Sequence, residues 1–137
     1  MLKKILVVDD SPLLHQMYRL VLNRYQCTLL TAMNGKEAFD QLGAHADVDL
    51  ILLDINMPVM NGIQFLEKAQ AQGVTQRCPI IVISTEGKEE DTIRALKLGA
   101  KGYLKKPFQS RELCDLIAKV LHQELQVRDE YSYGKVR

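Results

Sequence analysis

Along the chain, short stretches in which nearly every residue is apolar alternate with longer ones in which apolar positions recur every three or four residues. The short runs are 5–8 (ILVV), 28–32 (TLLTA), 50–53 (LILL), 79–84 (PIIVIS) and 102–104 (GYL). A strand covered on one face alternates apolar with polar; a run that is apolar throughout is what a strand covered on both faces needs. Between the runs, Leu13, Leu14, Met17, Tyr18, Val21 and Leu22 share one helical face. Leu113, Leu116, Ile117, Val120 and Leu121 do the same near the C-terminus. Five strands alternating with five helices predict an α/β fold, a doubly wound five-stranded parallel sheet with five flanking helices.

Local start signals agree with this division. Ser11 followed by Pro12 reads as an N-cap with proline at the first helical position, where its missing N–H costs nothing. Asn34 and Glu37 stand at capping-box spacing. There is no internal repeat and no low-complexity segment. After about residue 126 the periodicity fades, so 1–126 is expected to be the domain and 127–137 a tail or truncated linker. A chain of 137 residues is of single-domain length, and one of that size can bury roughly 68–70% of its unfolded surface.

Composition narrows the function classes. With 47% hydrophobic residues, 26% charged and a net charge of +1, the chain has no global electrostatic pull toward nucleic acid or a membrane surface. Neither is expected as a direct partner. Cys27, Cys78 and Cys114 form no C-x-x-C pair and suit small apolar residues in a reducing cytosol. The apolar run at the N-terminus is four residues long, against the roughly 7–15 of a signal-peptide core. A cytoplasmic location is expected. His15, His45 and His122 do not cluster and read as surface residues.

The chemically interesting residues fall at the carboxyl ends of the runs. Asp9 and Asp10 end the first, Asp54 the third and Ser84 the fourth, and Lys106 follows the fifth. In an open parallel sheet, ligands bind outside the carboxyl ends, where the strand order reverses. If the first and third strands are neighbours, three carboxylates converge and raise one another's pKa values. A hard divalent cation answers that repulsion, and Mg²⁺ commonly joins carboxylates to a phosphate through oxygen ligands; Mn²⁺ is the alternative. Lys106 and Ser84 suit a phosphate group, as a point charge and a hydroxyl donor. Asp54 fits an aspartate nucleophile that forms an acyl phosphate. The plainer readings are a solvated strand end for the acids, a strand cap for Ser84, a half-buried strand aromatic for Tyr103 and a simple turn for 56–62 (NMPVMNG).

Four segments together carry a family likeness: 7–11 (VVDDS), 52–62 (LLDINMPVMNG), 82–85 (VIST) and 102–108 (GYLKKPF). With these in order, the chain resembles the receiver domain of bacterial two-component response regulators, close to the chemotaxis-regulator type, over about residues 3–125. The resemblance implies a flavodoxin-like sheet of order 2-1-3-4-5. It implies that Asp54 accepts a phosphoryl group from a phosphohistidine on a sensor histidine kinase or phosphotransfer protein. Asp10 and Asp54 would bind Mg²⁺ directly, with the backbone carbonyl of Asn56, and Asp9 largely through water. Lys106 would pair with the phosphoryl oxygens, and the Lys106–Pro107 bond would be cis. Ser84 and Tyr103 match the family's switch hydroxyl and aromatic, and Asn56 and Glu86 the positions that tune dephosphorylation. A downstream target protein or output domain would read the face made by the fourth helix, fifth strand and fifth helix.

The chain departs from the family pattern in two places. Thr85 replaces the usual small residue, and 99–103 (GAKGY) lacks the paired acids common in regulators with winged-helix output. Two other functions compete. A phosphohydrolase of the haloacid-dehalogenase type also uses an aspartate nucleophile, but its second acid would fall at Asn56, whose amide does not shuttle protons. A scaffold with a silent receiver fold would not need the intact acid set.

Overall fold

The structure, a computed structural model, describes residues 2–85 and 89–133, with side chains described through His122. The strands are β1 (Lys4–Val8), β2 (Thr28–Ala32), β3 (Leu50–Leu53), β4 (Ile80–Ser84) and β5 (Gly102–Lys105). All pair in parallel, in the order β2-β1-β3-β4-β5. The helices are α1 (Pro12–Leu22), α2 (Gly35–Ala44), α3 (Gly62–Ala71), α4 (Val74–Arg77), α5 (Glu89–Lys97) and α6 (Ser110–Tyr133), with a 3₁₀ turn at Asn23–Tyr25.

The unbroken apolar runs are explained by two cores. Leu6, Val8, Ile51, Leu53, Ile80 and Val82 face one side and pack with apolar residues of α2, α3 and α5. Ile5, Val7, Leu50, Leu52, Ile81 and Ile83 face the other and pack with α1 and α6. Successive side chains thus enter opposite cores, as the two-residue repeat of a strand requires. Each fully buried Leu or Ile contributes about 1.5–3 kcal/mol by leaving water. The three central strands therefore act as the rigid part of the molecule.

Several sequence expectations need correcting. Among the described residues there are six helices rather than five, because Val74–Arg77 forms a single turn too short to show periodicity. Leu13 is 74% exposed rather than part of the buried face of α1, which is carried by His15, Tyr18 and Leu22. His15 is accordingly buried, not a surface residue. Apart from these corrections, α6 runs as far as Tyr133.

The caps follow their expected chemistry with one shift. Ser11 Oγ accepts from the Leu14 N–H at 3.3 Å, and Asn34 Oδ1 from the Glu37 N–H at 3.0 Å. The Glu37 carboxylate, however, reaches one residue further back, to the Met33 N–H at 2.9 Å. A complete capping box stands instead on α3, where Asn61 and Gln64 exchange bonds of 2.9 and 3.0 Å.

Gly62, the first residue of α3, locks that helix under β3. Its N–H donates to the Ile55 carbonyl at 2.8 Å. An added Cβ would press on the Asp54 carbonyl oxygen and lie 2.7 Å from Ile55 Cα. Both are backbone atoms and cannot swing away. Gly62→Ala is expected to cost about 1–3 kcal/mol, read as a lower urea midpoint; an unchanged midpoint would contradict this packing.

Candidate functional site

The register of the central strands brings the acids together. Val8 of β1 pairs with Leu53 of β3, so Asp9 and Asp54 are the first residues past two neighbouring strands. Their backbones are pinned there: the Asp54 N–H donates to the Val8 carbonyl at 2.9 Å, and the Asp9 N–H to the Ala32 carbonyl at 3.0 Å. Carboxylate oxygens of Asp9, Asp10 and Asp54 all lie within 4.8 Å of one another. Asp9 and Asp54 are 2% and 8% exposed, whereas Asp10 is open to solvent.

Lys106 is the cation that faces them. Its N–H donates to the Ser84 carbonyl at 2.9 Å, which fixes the start of the side chain beside β4. Its Nζ lies 2.7 Å from Asp9 Oδ2 and 3.6 Å from Asp54 Oδ1. Asp9 Oδ1 accepts from the Ser11 N–H and Asp54 Oδ1 from the Ile55 N–H, each at 2.9 Å. Asp9 is thus committed on both oxygens, while Asp10 reaches outward.

The charge balance falls short. Burial pushes the Asp54 carboxyl up to about 6; Lys106 and the Ile55 N–H work against that rise, and Asp9 and Asp10 add to it. The rise is mainly desolvation; the want of a counter-ion follows from the count, three carboxylates facing one ammonium. The donors are all carboxylate oxygens, the set preferred by a hard divalent cation over zinc or copper.

Two neighbours of the acids were not singled out for chemistry in the sequence. His15 Nε2 lies 2.7 Å from the Asp9 carbonyl oxygen. Since a carbonyl only accepts, Nε2 carries the proton, and Nδ1 is left buried without a partner. The Tyr18 phenol is raised well above its ordinary pKa, first by burial and then by the Asp9 and Asp54 carboxylates. Its ring stacks on Phe108 at 6.1 Å between centroids. The available signal was spacing, because Ser11, His15 and Tyr18 follow one helical face from the acid pair.

The other expected residues are placed separately. Ser84 is fully buried at the carboxyl end of β4. Tyr103, opposite Val82 on β5, is half-buried against the α2–α3–α5 core. Asn56 is exposed in the loop after Asp54. The Lys106–Pro107 bond is cis, as the resemblance implied. Glu86 lies outside the described residues.

A family model of the response regulator receiver domain matches residues 5–118. The chain belongs to that family. It is 39% identical over 120 residues to the chemotaxis protein CheY1 of Helicobacter pylori, covering 86% of this chain and 96% of that one. It is 38% identical over 122 residues to the transcriptional regulatory protein CpxR of Escherichia coli, covering 89% of this chain and half of CpxR. Among solved structures, the chemotaxis protein CheY4 of Vibrio cholerae superposes with a TM-score of 0.79 at 33% identity, covering 88% of this chain and 99% of CheY4. The protein is therefore a CheY-like receiver domain of two-component signalling, not a phosphohydrolase. Among the described residues of this receiver domain, no helix is long and apolar enough to cross a membrane.

The raised Asp54 carboxyl links receiver-domain stability to pH. Asp54 ionises near 3.8 in the unfolded chain and at about 6 in the fold, so between these values the fold keeps a proton that the unfolded chain has released. The stability from this group is full below the lower value and lost as pH rises through the upper one. The gap corresponds to about 3 kcal/mol. Without divalent cations, Asp54→Asn is expected to be more stable than the parent by about 1–3 kcal/mol at neutral pH, with the advantage fading near pH 4. Urea unfolding at both pH values checks this, and an equal advantage at both would contradict it.

Proposed function

We propose that Asp54 is the phosphoacceptor of a signalling switch, taking a phosphoryl group from the phosphohistidine of a sensor histidine kinase or phosphotransfer protein. The observation that carries this reading is the meeting of three carboxylates within 4.8 Å with Lys106 Nζ 3.6 Å from Asp54 Oδ1. Asp10, Asp54 and the Asn56 backbone carbonyl would hold Mg²⁺, or Mn²⁺, with Asp9 acting through water. The ion would neutralise charge shared by the acids and the phosphoryl oxygens.

The chain's own groups do the rest. With its carboxyl near 6, Asp54 is mostly ionised at neutral pH and able to attack. The Oδ–P bond forms as the P–N bond to the donor imidazole breaks; the imidazole keeps the electron pair. Lys106 swings from Asp9 to donate to a phosphoryl oxygen, and the Ser84 hydroxyl donates to another. This is a reaction of the domain upon itself rather than turnover of a substrate, and Asn56 and Glu86 tune its reversal. Residues 1–126 act as the receiver unit in the cytoplasm, and 127–137 as a tail or linker.

Readout follows from energetics. Shifting a population from 1:99 to 99:1 takes about 5.5 kcal/mol of differential binding, whereas one charge-assisted hydrogen bond supplies roughly 1.5–3 kcal/mol. Ser84 alone is too weak; Ser84, Lys106 and the cation together suffice. Movement of Ser84 toward the phosphoryl group leaves room for Tyr103 to turn inward. That changes the α5–β5–α6 face, where Ile93 and Leu96 already expose apolar surface to a target.

Incubation with acetyl phosphate and Mg²⁺ is expected to add one phosphoryl mass to the chain, and Asp54→Asn to lose it. Absence of any adduct on the parent would overturn the assignment. Ser84→Ala is expected to keep the adduct but to reduce the accompanying methyl NMR shifts of Ile93 and Leu96 by at least half. Full-sized shifts in that variant would remove Ser84 from the switch.

A further inference from the structure

Away from the acid crevice, a cavity of about 310 Å³ opens between α2, the β3–α3 loop, α3 and α4. Small-molecule sites span roughly 300–1,000 Å³, so this one has room for a single ring system and a charged group. Its apolar wall is built from Phe39, Leu42, Met60 and Val74, and its rim carries Lys36, Lys68 and Arg77 against one acid, Asp40. Among the described residues, none of these three cations forms an ion pair. Lys68 Nζ stands 5.8 Å from the centre of the Phe39 ring. Aromatic face and ammonium thus form one composite wall.

Gly43, exposed in the last turn of α2, lines the cavity without a side chain of its own. A Cβ built there would meet nothing within 4 Å, so the cavity is open on that side. Gly35 is the opposite case, since its Cβ would press on Met60 Cγ at 2.7 Å.

We propose that this cavity binds a small phosphate ester carrying a flat ring, of nucleoside-monophosphate size. The ring packs beside Phe39, which already contacts Phe65 at 4.7 Å between centroids and carries Lys68 Nζ over it, above the floor of Leu42 and Val74, with Gln72 and Asp40 at the rim. The phosphate is met by Lys36, Lys68 and Arg77, whose excess of two positive charges over Asp40 selects an anion. The site shares no residue with the acid crevice, so it stands or falls apart from phosphorylation of Asp54.

Adenosine monophosphate, which is no phosphoryl donor to aspartate, is the probe. The ¹⁵N-labelled full chain is titrated with it in the absence of divalent cations. Saturable amide shifts are expected at Phe39, Gly43, Gln72 and Arg77 and are retained in Asp54→Asn. Arg77→Gln should weaken binding about tenfold. Gly43→Leu should abolish it while the thermal midpoint is maintained, and inorganic phosphate alone should bind at least about tenfold more weakly than the nucleotide. The proposal is overturned by the absence of saturable shifts up to millimolar nucleotide, by shifts confined to Ser84 and Lys106, or by undiminished binding in both Arg77→Gln and Gly43→Leu.

Discussion

Carboxylate oxygens of Asp9, Asp10 and Asp54 stand within 4.8 Å of one another, opposed by one lysine ammonium. Left to themselves such groups would move apart or take up protons. They stay because the backbone leaves them little freedom: β1 and β3 are hydrogen-bonded neighbours, buried on both faces, with Asp9 and Asp54 as the first residues past them and Asp10 next in line. The two cores, the glycine that seats α3 and the anchoring of Lys106 beside Ser84 all hold this repulsive arrangement in place. The fold's stability is spent in part on a site that works against it.

Local strain gathers at the same place. Val59, in the loop that follows Asp54, has φ at 65° and a side chain that is largely exposed. A β-branched residue in the left-handed region costs about 1–2 kcal/mol. The loop is held regardless by the Met60 carbonyl accepting the Gly35 N–H at 2.9 Å and by Gly62 donating to Ile55. The loop beside the nucleophile is thus bent into a costly shape by contacts from α2 and α3.

Much of this was legible in the residues. Runs such as LILL identified doubly covered strands because both cores demand apolar side chains at every position, and the Ser11 cap needed only local chemistry. Other features depend on the assembled fold. Leu13 continues the apolar spacing of α1 but is 74% exposed, while His15, Tyr18 and Leu22 carry the buried face. His15 looks like a surface histidine until the Asp9 carbonyl comes within 2.7 Å of it. The turn at Val74–Arg77 is shorter than any period. In the site, the acids and Lys106 were named from position alone, but that Lys106 sits closer to Asp9 than to Asp54, 2.7 against 3.6 Å, is a detail that spacing does not encode.

Whether the crevice carries negative charge in want of a divalent cation can be read by NMR titration of the Asp54 side-chain carboxyl with and without Mg²⁺. A pKa of about 6 is expected in the metal-free protein, moving with Mg²⁺ to or below the ordinary aspartate range. A metal-free value already in that ordinary range, unmoved by Mg²⁺, would contradict it.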